Sequence, residues 1–290
     1  MLKKEDFFRQ FHIEDAFEKS GLQWDDLSNI YADYKDNIYD KLQALTKEMV
    51  DLLERDKPKE VRAVYGRAKE PDHLIEKIIR KIGIEDIAKY KEISVDNYVN
   101  VITDLIGIRI LVLTKEEWKV VDSHIRKTFH DEFLQPPKAY ICYGDREIFD
   151  GKIMDIEYTN KGYRSQHYII SQKGYPIEIQ VRTLAEEVYG EFDHRARYPY
   201  RQGNKFLIRY SKIVSKSVTE LDDLISTCLN INDEIIDNLD KDFKEDNYVD
   251  WSKQSISCNM NRVNSKGNNN YTHVKSVKEL ALSKVLRKGE

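Results

Sequence analysis

The stretch YTNKGYRSQHYIISQKGYPIEIQVRT, residues 158–183, decides the fold of this chain. It holds two runs of strand-forming residues, Tyr168–Ser171 and Tyr175–Val181, and the glycine-containing link Gln172–Gly174 between them predicts an antiparallel hairpin. Alternation with period two in the second run puts polar and apolar residues on opposite faces. We therefore expect either a sheet whose polar face carries functional residues or a half-exposed sheet whose charged residues are simply solvated. The polar set is Glu178, Gln180 and Arg182, and the apolar set is Ile177, Ile179 and Val181.

A helix is predicted directly after the hairpin. Thr183 is suited to cap its N-terminus, because a threonine oxygen accepts hydrogen bonds from the first backbone N–H groups of a helix. The spacing of the apolar residues that follow predicts that one side of the helix packs inward. The expected inward residues are Leu184, Val188, Tyr189 and Phe192.

Two charged residues stand between a predicted strand and a predicted helix. The β-branched run 61–66 leads into Arg67 and Lys69, and Pro71 suits the first turn of a helix with a buried stripe from Leu74 to Ile82. Cations placed just before a helix N-terminus form a natural phosphate-binding arrangement. On its own this is weak evidence, because exposed arginine and lysine residues are common.

A second charged pair belongs to a strand predicted at 105–113. Asp104 precedes this apolar run and Arg109 lies within it. A buried charge is costly unless it has a partner, so both residues are expected to be paired. The helix predicted after this strand, from Glu116 to Phe129, gives the strand–helix alternation of a layered α/β domain.

The other segments are predicted with less chemistry. Residues 24–52 read as one long amphipathic helix that ends before Pro58, and 133–155 read as irregular. Beyond Tyr200 an amphipathic helix runs to about Leu239, and we expect it to pack against the long N-terminal helix. Residues 246–276 are polar, and 274–288 could form a short basic amphipathic helix.

Composition restricts the class of protein. The chain has 290 residues and a net charge of −4, so any polyanion must be held by a local cluster rather than by a global basic field. The N-terminus lacks the apolar region of a signal peptide, and no run approaches membrane-spanning length. The three cysteines show no zinc or redox spacing. We expect a cytoplasmic protein without a membrane partner.

Read together, the charged positions predict one chemistry. Two carboxylates at strand ends, with several cations and an aromatic residue, suit Mg²⁺-dependent phosphoryl transfer, in which the metal bridges phosphates and the cations neutralise charge. Metal–thiolate sites, nucleophile triads and dinucleotide glycine motifs are not evident in the sequence. The special positions are Arg67, Lys69, Asp104, Arg109, Tyr163, Arg164, His167, Glu178, Gln180 and Arg182.

The same residues carry a resemblance. Four motifs occur in series: Arg67-x-Lys69, Asp104-x-x-Gly107-x-Arg109, Gly162-Tyr163-Arg164-Ser165-x-His167 and Glu178-x-Gln180-x-Arg182-Thr183. Over about residues 61–200 the chain resembles the synthetase domain of the RelA/SpoT family, the alarmone (p)ppGpp synthetases. The resemblance implies a mixed, mainly antiparallel β-sheet of nucleotidyltransferase-like type flanked by helices. It implies transfer of the β,γ-pyrophosphate of ATP to the 3′-hydroxyl of GDP or GTP in the stringent response.

The resemblance also implies a role for each matched residue. Arg67 and Arg109 would sandwich adenine, and Lys69 would hold ATP phosphates, with His73 also on the ATP side. Asp104 and Glu178 would bind Mg²⁺, and Glu178 would also draw off the hydroxyl proton. Tyr163 follows a glycine in a polar turn, so its ring is expected to stand exposed and stack on the acceptor base. The expected acceptor-binding set is Tyr163, Lys161, Arg164, Ser165, His167, Gln180 and Arg182.

Three positions depart from the family pattern. Thr159 stands where the family usually has lysine, His73 where it usually has serine, and Glu187 where small synthetases tend to have asparagine. These departures fall mainly on the acceptor side of the predicted site, so they concern the identity of the acceptor more than the chemistry. The ending Asp193-His194 to Tyr198-Pro199 resembles that of small members that pyrophosphorylate the 3′ CCA end of tRNA, for which Arg195, Arg197 and Arg201 could form a basic track.

The predicted organisation is an N-terminal helical extension (1–60), a synthetase core (61–200), a C-terminal helix on the core (201–245) and a polar tail (246–290). This length leaves no room for a hydrolase domain. The leading hypothesis is a synthetase-only enzyme that takes ATP and a guanine nucleotide. The tRNA 3′ end as acceptor and an inactive nucleotide-binding module are the alternatives, and self-association into a homo-oligomer is left open.

Overall fold

A computed structural model describes residues 2–130, 132–141, 148–149, 151–159, 163–196 and 204–246. The chain begins with short helices α1 (Lys4–Phe11) and α2 (Glu14–Ser20). Helices α3 (Trp24–Asp33) and α4 (Tyr39–Glu54) follow, joined by a π-helical turn over Tyr34–Ile38. The long helix predicted for 24–52 is therefore present, but it contains a π turn that apolar spacing does not reveal.

Six strands form one mixed sheet in the described part of the chain, in the order β1-β2-β6-β5-β3-β4. Pairs β2–β6 and β3–β4 are parallel, and the other three are antiparallel. The predicted fold class, a mixed and mainly antiparallel sheet flanked by helices, is therefore confirmed. The strands are β1 (Ala63–Ala68), β2 (Ile106–Val112), β3 (Lys138–Ile141), β4 (Asp155–Tyr158), β5 (Ser165–Gln172) and β6 (Tyr175–Thr183).

Strands β3 and β4 correct the prediction that 133–155 is irregular. Ala139 and Ile141 are buried in β3, between more exposed neighbours. With only four residues each, these strands are too short for alternation to separate them from a loop.

The predicted hairpin is confirmed as β5–β6, with a shorter link than expected. Gln172 pairs with Tyr175, so the loop is reduced to Lys173 and Gly174. Both loop residues have positive φ, 53° and 83°. Positive φ at both central residues is the conformation of a type I′ turn, whose twist matches that of the paired strands. Glycine adopts it without steric cost.

The sheet has one apolar and one polar face. The apolar face is buried against the helices α4, α5 (Pro71–Gly83) and α7 (Trp118–Phe129) in a single core. Glycine at position 83 lets α2 approach α5, because a Cβ there would lie 1.9 Å from the carbonyl oxygen of Ala16. Between α5 and β2 lie a 3₁₀ turn (Ala88–Tyr90) and the short helix α6 (Tyr98–Val101). The polar face carries Tyr65, Arg67, Arg109, Tyr140, His167, Glu178, Gln180 and Arg182, as the strand registers require.

Helix α8 (Leu184–Ala196) begins as predicted but buries a different side. Thr183 Oγ1 accepts a hydrogen bond from the backbone of Glu186, and the Glu186 carboxylate accepts one from the backbone of Thr183, which is a capping box. Tyr189 is buried as expected, whereas Val188 is 65% exposed and Leu184 40%. Glu186 and Glu187 are buried instead. Glu187 pairs with the buried Arg182, and Glu186 accepts the capping hydrogen bond from the backbone of Thr183.

Helix α9 (Lys205–Asp246) extends past its predicted end and packs with its polar side inward. Ser211, Ser215, Asp222 and Ser226 are buried, whereas Phe206, Tyr210, Ile213, Leu221 and Leu224 are exposed. Its described contacts are with α8, with Arg164 and with the 3₁₀ turn Lys115–Glu117. The expected packing of its apolar residues against the N-terminal helix is therefore wrong among the described contacts. Its buried carboxylate faces Arg164 instead.

The chain divides into two compact units, residues 1–226 and 227–290. Within the described residues, no helix is both long and apolar enough to span a membrane. The predicted basic helix at 274–288 lies outside the described residues.

Candidate active site

A cavity of about 380 Å³ opens on the polar face of the sheet, between β1, β2, β6 and the helices α5 and α8. Cations and carboxylates share its wall, so the site is charged rather than apolar. The cations are Arg67, Lys69, Lys77 and Arg109, and the carboxylates are Glu70, Glu76, Asp104, Glu178 and Glu191. His73 and His194 complete the titratable lining. Seven residues predicted from sequence therefore meet in one cavity: Arg67, Lys69, His73, Asp104, Arg109, Glu178 and Gln180.

Asp104 is held between two lysines at the start of β2. Lys69 Nζ lies 3.2 Å from its Oδ2, and Lys77 Nζ lies 2.5 Å from its Oδ1. Burial alone would raise the pKa of Asp104, but the two ammonium groups outweigh burial and hold the pKa well below its usual range. Burial lowers the pKa of Lys69 despite its carboxylate partner. Asp104 therefore faces the cavity as a carboxylate.

Arg109 is fixed at the other end of the cavity by α8. Its Nη1 donates to Glu187 Oε1, to Glu191 Oε1 at 2.8 Å and to the Tyr65 hydroxyl at 3.4 Å. The Tyr65 hydroxyl also donates to Glu187. Arg67 is exposed on β1 and shares the sheet face with Arg109, two register positions away. The guanidinium that was expected to contact adenine thus has carboxylate partners of its own.

The N-terminal helices contact the residues beside the lysine pair. The Tyr34 hydroxyl donates to the backbone carbonyl of Lys69 at 2.7 Å, and the Tyr39 hydroxyl donates to Glu70 at 2.6 Å. These two tyrosines begin and follow the π turn. The ring of His73 packs edge-on against Phe11 with centroids 5.3 Å apart. The N-terminal extension therefore supports the wall of the cavity.

Glu178 is one member of a closed ring of side-chain hydrogen bonds. His167 Nδ1 lies 3.0 Å from Glu178 Oε1, and Gln180 Nε2 donates to Oε2 at 2.6 Å. Arg182 Nη2 donates to Gln180 Oε1 at 2.7 Å and to the Tyr163 hydroxyl at 2.8 Å. Tyr163 closes the ring through its hydroxyl, 2.8 Å from His167 Nε2.

One tautomer satisfies every member of this ring. With the proton on His167 Nδ1, the imidazole donates to the Glu178 carboxylate, and its Nε2 accepts from the Tyr163 hydroxyl. Burial alone would raise the pKa of Glu178, but hydrogen bonding from His167 prevails and the pKa is lowered. Glu178 is therefore an ionised carboxylate with both oxygens engaged.

Tyr163 differs from its predicted setting. Its ring is partly buried, 5.8 Å from the ring of Tyr140 and 5.1 Å from the guanidinium carbon of Arg182. Burial raises the pKa of its hydroxyl. The expectation of an exposed ring is wrong for the described structure, because the hydroxyl needs the partners that draw it into the ring of hydrogen bonds.

Arg164 and Ser165 lie away from the cavity. Arg164 is 6% exposed, and its Nη1 is 3.5 Å from Asp222 of α9. Ser165 is fully buried and donates to the Val181 carbonyl. These positions do not fit direct contacts with an acceptor. Lys161, Arg197 and Arg201 lie outside the described residues, and Arg195 is exposed on α8.

Two buried carboxylates face Arg164 on the far side of α8. Burial, with the nearby Asp222 charge, raises the pKa of Glu186 to about 8. Burial likewise raises the pKa of Asp222 to about 6, against the attraction of Arg164. This cluster fastens α8 and α9 to the domain and is separate from the cavity lining.

Sequence reasoning missed Lys77, Glu187 as a contact residue, Glu191 and His194. Lys77 follows His73 by one helical turn, so helix spacing could have placed it on the same side of α5. Glu187 and Glu191 are likewise one turn apart on α8 and meet Arg109 together. Burial and the positive charge of Arg67 lower the pKa of His194.

Asp104 and Glu178 have the chemistry to hold a divalent cation. Both are ionised carboxylates in one cavity, and their charges are close enough to influence each other's titration. Mg²⁺ is usually bound by one or two carboxylates together with substrate phosphates, rather than by a protein cage. Among the described residues, no cluster of three or more histidine, cysteine or acidic residues suited to a metal occurs.

The fold and the site thus define a charged cavity on one face of a mixed sheet. Residues 66–203 match the family model described as the region found in RelA / SpoT proteins. Residues 66–203 are therefore similar to the region found in RelA / SpoT proteins, and the resemblance read from the four motifs is confirmed. No curated protein matches the chain.

Several solved structures are similar to it. Small alarmone synthetase 1 from Bacillus subtilis, bound to its product pppGpp, is 20% identical, with 70% of this chain and 96% of that chain covered and a TM-score of 0.45. A GTP pyrophosphokinase family protein from Streptococcus pneumoniae is 20% identical over 73% and 96% of the two chains, with a TM-score of 0.44. Small alarmone synthetase 2 from Bacillus subtilis is 21% identical over 72% and 99%, with a TM-score of 0.42.

Proposed function

We propose that this protein transfers the β,γ-pyrophosphate of ATP to the 3′-hydroxyl of GDP or GTP. The observation that carries the proposal is the cavity itself, in which two ionised carboxylates, Asp104 and Glu178, stand among four cations. Such a site suits phosphoryl-type transfer, where catalysis depends on positioning and on electrostatic stabilisation. Residues 66–203, which supply most of the cavity lining, are similar to the region found in RelA / SpoT proteins.

The donor nucleotide would use the wall formed by β1, α5 and β2. Lys69 and Lys77 are the cations for the polyphosphate, and Asp104 holds them in place until the phosphates arrive. Arg109 and Arg67 would contact the adenine, because a planar guanidinium stacks on an aromatic ring. His73 and His194 would contribute as neutral groups near pH 7, since burial and the nearby cations lower both pKa values.

The acceptor would bind beside the ring of hydrogen bonds. Its 3′-oxygen attacks the β-phosphorus of ATP, the bond between that phosphorus and the bridging oxygen to the α-phosphate breaks, and AMP leaves. The hydroxyl proton passes to the Glu178 carboxylate, which is in its proton-accepting form throughout the neutral range because its pKa is lowered. His167 and Gln180 orient this carboxylate.

Mg²⁺ is part of the proposal. Asp104 and Glu178 would hold it, and when bound it would neutralise charge on the phosphate oxygens. The location of the protein in the cytoplasm and its assembly into a homo-oligomer stay predictions.

The proposal is tested with ATP labelled at the γ-phosphate, Mg²⁺, and GDP, GTP or deacylated tRNA offered together. Label in a guanosine penta- or tetraphosphate is the expected result, with AMP released in equal amount. Label in tRNA while GDP and GTP stay unmodified would favour the tRNA alternative. Absence of transfer, with nucleotide binding retained, would favour the inactive binding module. Omitting Mg²⁺ tests the metal separately.

A further inference from the structure

One carboxylate, that of Glu187, lies between the arginines of the two proposed subsites. Its Oε1 accepts hydrogen bonds from Arg109 and from the Tyr65 hydroxyl, and its Oε2 accepts from Arg182 Nη1 at 3.2 Å. Arg109 lines the donor side of the cavity, whereas Arg182 belongs to the ring that holds Tyr163 and Gln180. The Glu187 side chain is only 12% exposed, so these contacts form in a largely desolvated position.

The backbone of α8 is shaped for this contact. Gly190 lies one turn after Glu187, and a Cβ there would come within 2.6 Å of Arg182 Nη1. The missing side chain therefore lets the helix approach Arg182. Glu191 lies on the same side of α8, and Arg109 is its one described ion-pair partner. Its side chain is 57% exposed. Both glutamates contact Arg109, whereas only Glu187 is described in contact with Arg182 and Tyr65, and Glu187 is the more buried of the two.

Each guanidinium has a geometric reason to need this carboxylate. A carboxylate that accepts hydrogen bonds from a guanidinium fixes the orientation of its plane, and a flat face of that plane is what stacks on a base. Arg109 and Arg182 each have a tyrosine ring nearby, Tyr65 and Tyr163, so the carboxylate determines how the plane lies against that ring. Two arginines brought near one cavity also repel each other unless a negative charge is shared between them. Glu187 supplies that charge from one side chain, so the orientation of either arginine depends on it.

We infer that Glu187 is a positioning residue for both substrates of the proposed transfer, and that it links the donor arginine to the acceptor arginine. The inference rests on the proposed function. It concerns a residue that stands where small synthetases tend to have asparagine, a side chain without a charge to share between two arginines.

The test is steady-state kinetics of Glu187→Gln and Glu191→Gln, with each substrate varied in turn. Glutamine keeps the shape of glutamate but replaces one acceptor oxygen by a donor group that faces an arginine. We expect Glu187→Gln to raise the KM for ATP and the KM for the guanine nucleotide together, each by roughly tenfold, the loss expected for a hydrogen bond to a charged group. Glu191→Gln should raise the KM for ATP alone.

A role in stability alone would not raise both KM values in one variant and only the KM for ATP in the other. Thermal unfolding of both variants shows whether the fold persists. Should Glu187→Gln not fold, Glu187→Asp retains the charge, shortens the reach by one methylene, and is expected to give the same paired rise in KM.

Three results would overturn the inference: a rise in only one KM, no rise in either, or a lower KM for ATP. The last would mean that Glu187 competes with ATP for Arg109. A wild-type protein that labels no guanine nucleotide would instead remove the proposed function, and the inference with it. A wild-type protein that is active but matched by Glu187→Gln removes the inference alone.

Discussion

The proposed donor site in the cavity and the proposed acceptor site beside it hold their charges in opposite ways. On the donor side, Asp104 and its two lysines are separate ion pairs between different elements, and the cations face the cavity. On the acceptor side, Tyr163, His167, Glu178, Gln180 and Arg182 satisfy one another in a closed ring. The donor side can therefore exchange a carboxylate partner for a phosphate, whereas the acceptor side orients one carboxylate in a fixed network.

This difference predicts different responses to mutation. Mutation of an ion pair that faces the cavity should weaken the binding of a ligand that would replace one of its partners. A ring of hydrogen bonds loses orientation at every member when one member is removed, because buried polar networks are cooperative.

The largest effect is expected where the two sides meet, at Asp104 and Glu178. Glu178→Gln removes the proton acceptor, and we expect kcat to fall roughly 10²–10⁴-fold, the usual contribution of general acid–base catalysis. Asp104→Asn should lower the rate by a similar order through the loss of charge at the lysine pair. Product formation from labelled ATP measures both. Glu157→Gln, which removes an exposed carboxylate from β4 of the same sheet, is the control. Near-normal rates in either site variant would contradict the assignment.

The next effect tests the closed ring. Tyr163→Phe keeps the aromatic ring but removes the hydroxyl that joins Arg182 to His167. Each such hydrogen bond contributes about 1 kcal/mol, so we expect an approximately tenfold loss in kcat/KM for the guanine nucleotide. The KM for ATP should stay unchanged, and Tyr158→Phe, at an exposed tyrosine, should have no effect. An equal loss for both substrates would show that the two sides are not organised separately.

A smaller effect tests the donor side. Arg109→Lys retains the positive charge, and in the wild type a single nitrogen, Nη1, meets both Glu187 and Glu191, but the substitution loses the planar face that would stack on adenine. We expect the KM for ATP to rise about fivefold, within the range of a cation–π contact. Arg62→Lys, at an exposed arginine just before β1, is the matched control. Unchanged affinity for ATP would mean that Arg109 is structural.

The smallest effect on catalysis is expected outside both sites, in the buried cluster of Glu186, where the predicted change is in stability. Because its folded pKa is raised to about 8, the native state holds a proton that the unfolded state releases near pH 4.5. The free energy of unfolding should therefore decrease as pH rises from about 4.5 to about 8, by at most about 1.4 kcal/mol per pH unit. Thermal melting between pH 5 and 8 should show this slope in the wild type and a flatter one in Glu186→Gln. A Glu220→Gln control on exposed α9 should retain the slope, and parallel curves for Glu186→Gln would contradict the prediction.

Much of the fold was predictable because strong patterns coincide with buried elements. The alternation in β6, the apolar run of β2 and the turn signal at Gly174 each identified an element correctly. The capping role of Thr183 was also predictable, since Glu186 follows it at the capping-box spacing. Strands β3 and β4 were missed because four residues carry too little alternation.

The site was predictable as a set of residues but not as a set of contacts. Sequence order predicted Asp104 and Glu178 at strand ends. Asp104 does precede β2, whereas for Glu178 the prediction is wrong, because it lies inside β6 with Gly107 opposite it in the register. The inward turn of Arg164 toward Asp222 could not be read from sequence, because residues 58 positions apart meet only in the fold. Glu187 was noted as a departure from the family pattern, but its two arginine partners depend on how closely α8 approaches.

The polar inner side of α9 has a thermodynamic consequence. Among the described residues of α9, the fully buried side chains are serines and Asp222, and the apolar side chains are partly buried or exposed. This helix therefore removes less hydrocarbon from water than a helix of the core. The heat capacity of unfolding comes chiefly from exposure of apolar surface, so release of this part of α9 should absorb heat with little change in heat capacity. The free energy of this release should then depend on temperature almost linearly. The free energy of unfolding of the sheet and its apolar core should instead follow a curve.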